Sequence, residues 1–151
     1  MTALKESSSH IELHFKLNVV QAWPPVAVEG VLCTLVGSMY SVETPPLFVK
    51  GISVGDIIEV EFDGEDHVTS WRAVSQSDRT TARILRTGPG NNIAIIISDL
   101  QSMDCRVIQL PELGCYSVDI PGEVPIADID ACLARLDSNS TAVAFPSYRH
   151  K

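Results

Sequence analysis

The sequence predicts an α+β protein: a small N-terminal antiparallel β-sheet or barrel-like unit packed on a C-terminal ferredoxin-like (βαββαβ) unit. Three observations carry that reading. Residues 10–76 hold short apolar runs at period two, separated by Pro, Gly and Asp-Gly turn signals. After the polar stretch Ser75–Asp78 the period changes, and two apolar stripes appear at helical spacing, Ile93/Ile96/Ile97/Leu100/Met103 and Ile126/Ile129/Leu133/Leu136. The strand-like runs around those stripes fall in the order β-α-β-β-α-β. Each half is small for an independent core, at about 70 residues, so the two are expected to pack together across a joint at 75–78.

Each element has its own signal. Residues 1–9 are polar and Ser-rich and read as a disordered tail. Ile11, Leu13, Phe15 and Leu17 alternate with His10, Glu12, His14 and Lys16, the mark of a half-buried strand, which Trp23-Pro24-Pro25 stops. Val26–Leu35 is a second strand, with Gly30 a candidate bulge. Met39–Glu43 and Leu47–Lys50 read as further short strands on either side of Pro45-Pro46. Gly55-Asp56 turns into Ile57–Phe62, where Ile58, Val60 and Phe62 are expected to face inward, and Asp63-Gly64 returns the chain as His67–Val74. In residues 77–151, Thr80–Arg86, Arg106–Leu110, Tyr116–Ile120 and Thr141–Phe145 read as strands. Asn91 or Asn92 can cap the first helix, and Pro125 suits the first turn of the second.

Composition excludes several classes of function. Hydrophobic residues make up 45% and charged residues 20%, which fits a folded domain and not a disordered chain. The net charge of −8 sets the surface against phosphate backbones and anionic lipid, so neither nucleic acid nor membrane is expected as a partner. The longest apolar runs fall far below the ~20 residues a membrane span needs. Without an apolar leader, the chain is expected in the cytoplasm with reduced thiols.

The run Val26-Ala-Val-Glu-Gly-Val31, then Tyr40-Ser-Val42, Pro45-Pro-Leu-Phe48 and Val49-Lys-Gly-Ile-Ser-Val-Gly-Asp56 resembles a bacterial family, domain-of-unknown-function family 4265. Leu100…Cys105 and Val118-Asp-Ile-Pro121 match its helix-strand-strand-helix-strand tail, so the resemblance covers roughly residues 10–148. Where that family carries a Gly-His-Ser/Thr-like element, this chain has Ser77-Asp78-Arg79-Thr80-Thr81. The resemblance implies membership and no activity.

Candidate sites are few. His10, Glu12 and His14 share a strand face, but His10 and His14 would stand about 13.5 Å apart, too far for one ion, so no metal is expected. Cys33, Cys105, Cys115 and Cys132 lack C-x-x-C spacing and read as small hydrophobes, with Cys115, after Gly114, the more exposed candidate. Gly88-Pro-Gly-Asn-Asn92 precedes a helix but lacks the residues of a phosphate loop. Trp23, Trp71 and Tyr40 read as core or inter-unit packing. The densest charge is Glu59, Glu61, Asp63, Glu65 and Asp66, five acids within eight residues at a hairpin tip. No catalytic residue and no cofactor is assigned.

These features lead to the expectation of a non-catalytic protein-binding domain. Its partner would be a basic protein, such as a toxin met by an inhibitor or immunity protein, held through that acidic surface. The alternative is a small-molecule-sensing regulatory domain of ferredoxin-like type.

Overall fold

The computed structural model describes residues 10–151, so the expected tail at 1–9 lies outside the described residues. Nine strands and two α-helices follow one another along them as β1 (His10–Lys16), β2 (Val28–Val36), β3 (Met39–Val42), β4 (Ile57–Phe62), β5 (His67–Ser75), β6 (Thr80–Arg86), α1 (Ile93–Ser102), β7 (Arg106–Leu110), β8 (Cys115–Ile120), α2 (Ile126–Leu133) and β9 (Thr141–Ser147). A 3₁₀ turn, Pro111–Leu113, joins β7 to β8.

Strands β1 to β5 form a closed barrel in sequence order, and β6 to β9 form a four-stranded sheet in the order β7-β8-β6-β9. All pairs are antiparallel except β1 with β5, which close the barrel in parallel. That closure is short: only His14 with His67 and Phe15 with Val68 are in register. The protein is of the α+β class.

Alternation fills the barrel. Leu13 and Phe15 face inward with Val31, Cys33, Val42, Ile58 and Val68. Gly30 makes no bulge. It stands in regular register with His14, and a Cβ there would meet the Glu12 carboxylate at 2.6 Å, so the glycine admits that side chain. Phe62 departs from the expected inward face and is 45% exposed, because a register shift between Glu61 and Phe62 rotates the strand end outward.

The second sheet is buried on both faces. Ala82, Ile84, Tyr116, Val118 and Ile120 point toward the helices and share one core with the stripes of α1 (Ile93, Ile96, Ile97, Leu100) and α2 (Ile129, Cys132, Leu133). Asn91 Oδ1 accepts the Ile93 N–H at the start of α1, while Asn92 bridges to Arg135 O and Asp137 N. The opposite face carries Thr81, Arg83, Leu85, Cys115, Ser117 and Asp119, and it meets the barrel through the segment 43–56.

That segment corrects a prediction. Leu47–Lys50 is not a strand, although its side chains are apolar and Leu47, Phe48 and Val49 are buried. The amides that a neighbouring strand would have bound go to one side chain: the Glu29 carboxylate accepts the N–H groups of Leu47, Phe48 and Val49. Other polar groups of the segment reach the sheet. Ser117 Oγ donates to Pro45 O at 2.8 Å, Arg83 donates to Leu47 O at 3.2 Å, and Gly51 N–H donates to Pro146 O at 2.9 Å. Ser53 Oγ lies 2.7 Å from Ser147 Oγ and 3.3 Å from Thr81 Oγ1.

Asp56 ends the segment fully buried and accepts from three directions: Ser53 N–H, Ser77 N–H and both terminal nitrogens of Arg149, each at 2.9 Å. The polar joint 75–78 is thus fastened to the barrel, and so is the end of the chain. Nearby, Arg79 pairs with buried Asp119 through two hydrogen bonds of 2.8 Å.

Removing Asp56 leaves the Arg149 guanidinium buried without its counter-charge. Asp56→Ala should lower stability by about 3–5 kcal/mol in urea unfolding, with the two units unfolding less cooperatively.

Glu29 gives a pH signature. Burial pushes its carboxyl above the ordinary range, against the pull of the three N–H donors and of Arg83. The native state then binds more protons than the unfolded chain at pH values above the ordinary carboxylate pKa of 4.5, so this group's contribution declines as pH rises through its folded value. Urea unfolding of wild type and Glu29→Gln across that window should show the stability advantage of wild type shrinking with rising pH.

Candidate functional site

Where β1 and β5 part company, the barrel wall opens. Beyond Phe15 and Val68 the two strands no longer pair, and β1 runs on through Leu17, whose N–H donates to Ala27 O. The gap is a cleft of about 490 Å³ lined by Phe15, Lys16, Leu17, Asn18, Val20, Trp23, Pro24, Phe48, Val49, Lys50, Val68, Thr69 and Trp71. Both tryptophans of the chain are on its wall.

Local geometry holds the two rings. Val20 and Trp23 bridge across a two-residue turn, with N–H to O distances of 2.9 and 3.0 Å in the two directions. The turn residues, Gln21 (φ 54°) and Ala22 (φ 64°), are both left-handed, a conformation that side chains other than Gly and Asn resist. Trp23 emerges from this turn 40% exposed, with its ring edge-on to Phe48 at 5.8 Å and the Arg83 guanidinium 5.5 Å from its centroid. Trp71 packs from the far side. Its ring lies against Gly51, whose φ of 82° is the left-handed conformation that favours glycine. Trp23 and Trp71 thus pack, as expected, and also line the opening. Tyr40 is half-buried and packs edge-on with Phe62, away from the cleft.

The five acids of the sequence-predicted surface do fall on one hairpin, but three of them are engaged within it. Glu59 pairs with Arg72, and Glu61 accepts from Ser70 Oγ at 2.6 Å. Asp63 Oδ1 accepts the His67 and Glu65 amides across the turn, and those bonds hold its carboxyl below the ordinary range. Glu65 and Asp66 project from the tip.

Asp63, Glu65 and His67 bring ligand atoms within 4.8 Å of one another. The His67 Nδ1 atom is buried without a hydrogen bond, while the Lys16 ammonium stands 3.6 Å from Asp63 Oδ2, where a cation would compete with it. The four residues between β4 and β5, 63–66, bring His67 back beside Asp63, whose Oδ1 accepts the His67 N–H at 3.0 Å. Glu12 and His14 lie on the solvated outer face, 3.2 Å apart.

All four cysteines are free and buried, Cys115 included, which corrects its expected exposure. Gly114 turns the chain so that Cys115 faces the contact between sheet and barrel. Burial pushes the thiols of Cys33 and Cys105 up to about 12, far from thiolate chemistry.

Comparison with known proteins places this architecture. A family profile matches residues 29–143, most of the barrel and nearly all of the second unit. The chain belongs to the family described as Domain of unknown function (DUF4265). This DUF4265 chain is also similar to a solved structure described as a novel crystal structure of a hypothetical protein from Neisseria gonorrhoeae. The two share 13% identity at a TM-score of 0.64, over 95% of this chain and 96% of that one, a likeness of fold. No curated protein matches. No helix among the described residues is long and apolar enough to cross a membrane.

The turn beneath Trp23 supplies a direct test of how the cleft wall is built. Ala22→Gly relieves a left-handed alanine and should raise stability by about 0.5–1 kcal/mol, read as a higher urea midpoint at unchanged slope.

Proposed function

We propose that this DUF4265 chain is a binding domain that takes a small organic ligand in the cleft between β1, β5 and the Trp23 turn. The observation that carries the reading is the wall itself. A concavity within the usual ligand-site range of about 300–1,000 Å³ is faced by two tryptophans and two phenylalanines, with a few polar groups at its margin. Backbone strain supports it as well, since consecutive left-handed non-glycine residues persist where the surroundings over-determine them, often at ligand clamps. We read the second unit as ferredoxin-like, which the order β7-β8-β6-β9 and the position of the helices between β6 and β7 and between β8 and β9 support. In this reading the sheet backs the cleft, because Arg83 from β6 reaches through to Trp23.

A second reading, docking of a basic protein on the hairpin 59–66, draws support from Glu65 and Asp66, which are exposed and make no ion pair among the described residues. Glu65→Lys with Asp66→Lys should slow association with such a partner and weaken its salt dependence.

The chain reports on the cleft without labelling, because its only tryptophans line it. Titration with a library of small organic compounds should find one that changes tryptophan emission and raises the melting temperature. Trp71→Phe should weaken its binding while leaving the circular dichroism spectrum unchanged. Ligands that bind equally well to Trp71→Phe and leave emission unaltered would place the site elsewhere.

A further inference from the structure

We infer that the ligand of this cleft is an organic anion with a flat apolar body, such as an aromatic carboxylate. The inference rests on the cleft reading above and adds the ligand's charge and shape.

Shape follows from the two indoles. Each is held from behind, Trp23 by Phe48 and Arg83 and Trp71 by Gly51, so the open space is bounded by fixed ring surfaces that a flat body can meet by stacking.

Charge follows from where the cations are. The chain carries 11 basic side chains against 19 acidic ones, and each of its seven arginines makes at least one hydrogen bond or ion pair, although the buried Arg83 Nε has no partner among the described residues. Arg72, Arg79, Arg135 and Arg149 pair with carboxylates, and Arg83, Arg86 and Arg106 donate to backbone carbonyls. Lys16 and Lys50 are exposed and line the cleft, with Lys16 standing 3.6 Å from Asp63. Lys50 makes no ion pair or hydrogen bond with the described residues, and it lies in the buried segment 43–56, immediately after the three amides that Glu29 fixes. An ammonium on a fixed backbone beside an aromatic wall complements a carboxylate on a flat ring. Asn18 and Thr69 add neutral hydrogen-bonding groups at the same margin.

The test uses the full chain labelled with ¹⁵N and two probes of one shape, 2-naphthoate and neutral 2-naphthamide. The two indole N–H signals serve as readout. 2-Naphthoate should shift both signals and bind about tenfold tighter than 2-naphthamide. Lys50→Gln should remove most of that difference without changing amide binding, and Lys50→Arg should restore it. Equal binding of the two probes, or a preference that survives Lys50→Gln, overturns the anion while leaving a ligand cleft in place. Failure of both probes, while a library compound moves the indole signals, overturns the flat anion as the ligand class. Failure of probes and library together overturns this inference and the cleft reading with it.

Discussion

Asp56 accepts hydrogen bonds from the barrel segment, the joint and the end of the chain, and the rest of the architecture depends on that convergence. A segment with no regular structure lies between two layers, from residue 43 to residue 56. Water would normally satisfy such a backbone, and here much of it is buried. Asp56 and Glu29 take its amides at either end, while hydroxyls and guanidinia from the sheet take its carbonyls. Without these groups, pressing barrel against sheet would strand donors and acceptors at a cost of about 1–3 kcal/mol each. The interface is therefore polar at its centre even though apolar cores lie on both sides of it.

The same constraint explains what could be read in the sequence. Periodicity reports on regular elements, so β6, β7, both helices and the β-α-β-β-α-β sequence of elements in residues 80–147 are legible from apolar spacing together with turn signals. It says nothing about a segment whose amides are bound by a side chain 18 to 20 residues away. Leu47–Lys50 has the composition of a strand, and only Glu29, placed inward opposite Phe15, makes it something else. An acid at an inward position of an otherwise apolar strand was the available signal. Phe62 misled for a similar reason: strict alternation puts it inside, and a register shift moves it out. Of the candidate sites, the acidic hairpin was visible as composition, whereas its internal pairings depend on register. The cleft depends on two strands that are distant in sequence and pair over only two residues.

Barrel closure and cleft are two sides of one compromise. Closing a five-stranded barrel requires β1 and β5 to meet in parallel, and a longer pairing would carry β1 along β5 toward Trp71. Instead β1 turns away to place Leu17 against Ala27 and to bring the Trp23 turn over Phe48. Phe48, Val49 and Lys50 from the buried segment line the opening left behind, and Gly51 lies against Trp71. Segment 43–56 thus fastens the two units together and also forms the floor of the opening.

That shared role has an electrostatic consequence. A chain with a net charge of −8 repels anions at long range, so an anion is held only where local positive charge exceeds the mean field. At physiological ionic strength the mean field is screened over about 8 Å, whereas an ammonium in contact is screened little. Added salt should therefore weaken the long-range repulsion while acting more gently on a contact pair. Anion binding at the Lys50 margin would then lose less affinity with salt than binding to a positively charged surface does. The acidic hairpin has the opposite relation to its surroundings, since the whole chain adds to its field. Salt dependence therefore separates the two faces of this molecule on physical grounds: steep for a cation or basic protein at residues 59–66, shallow for an anion at the cleft.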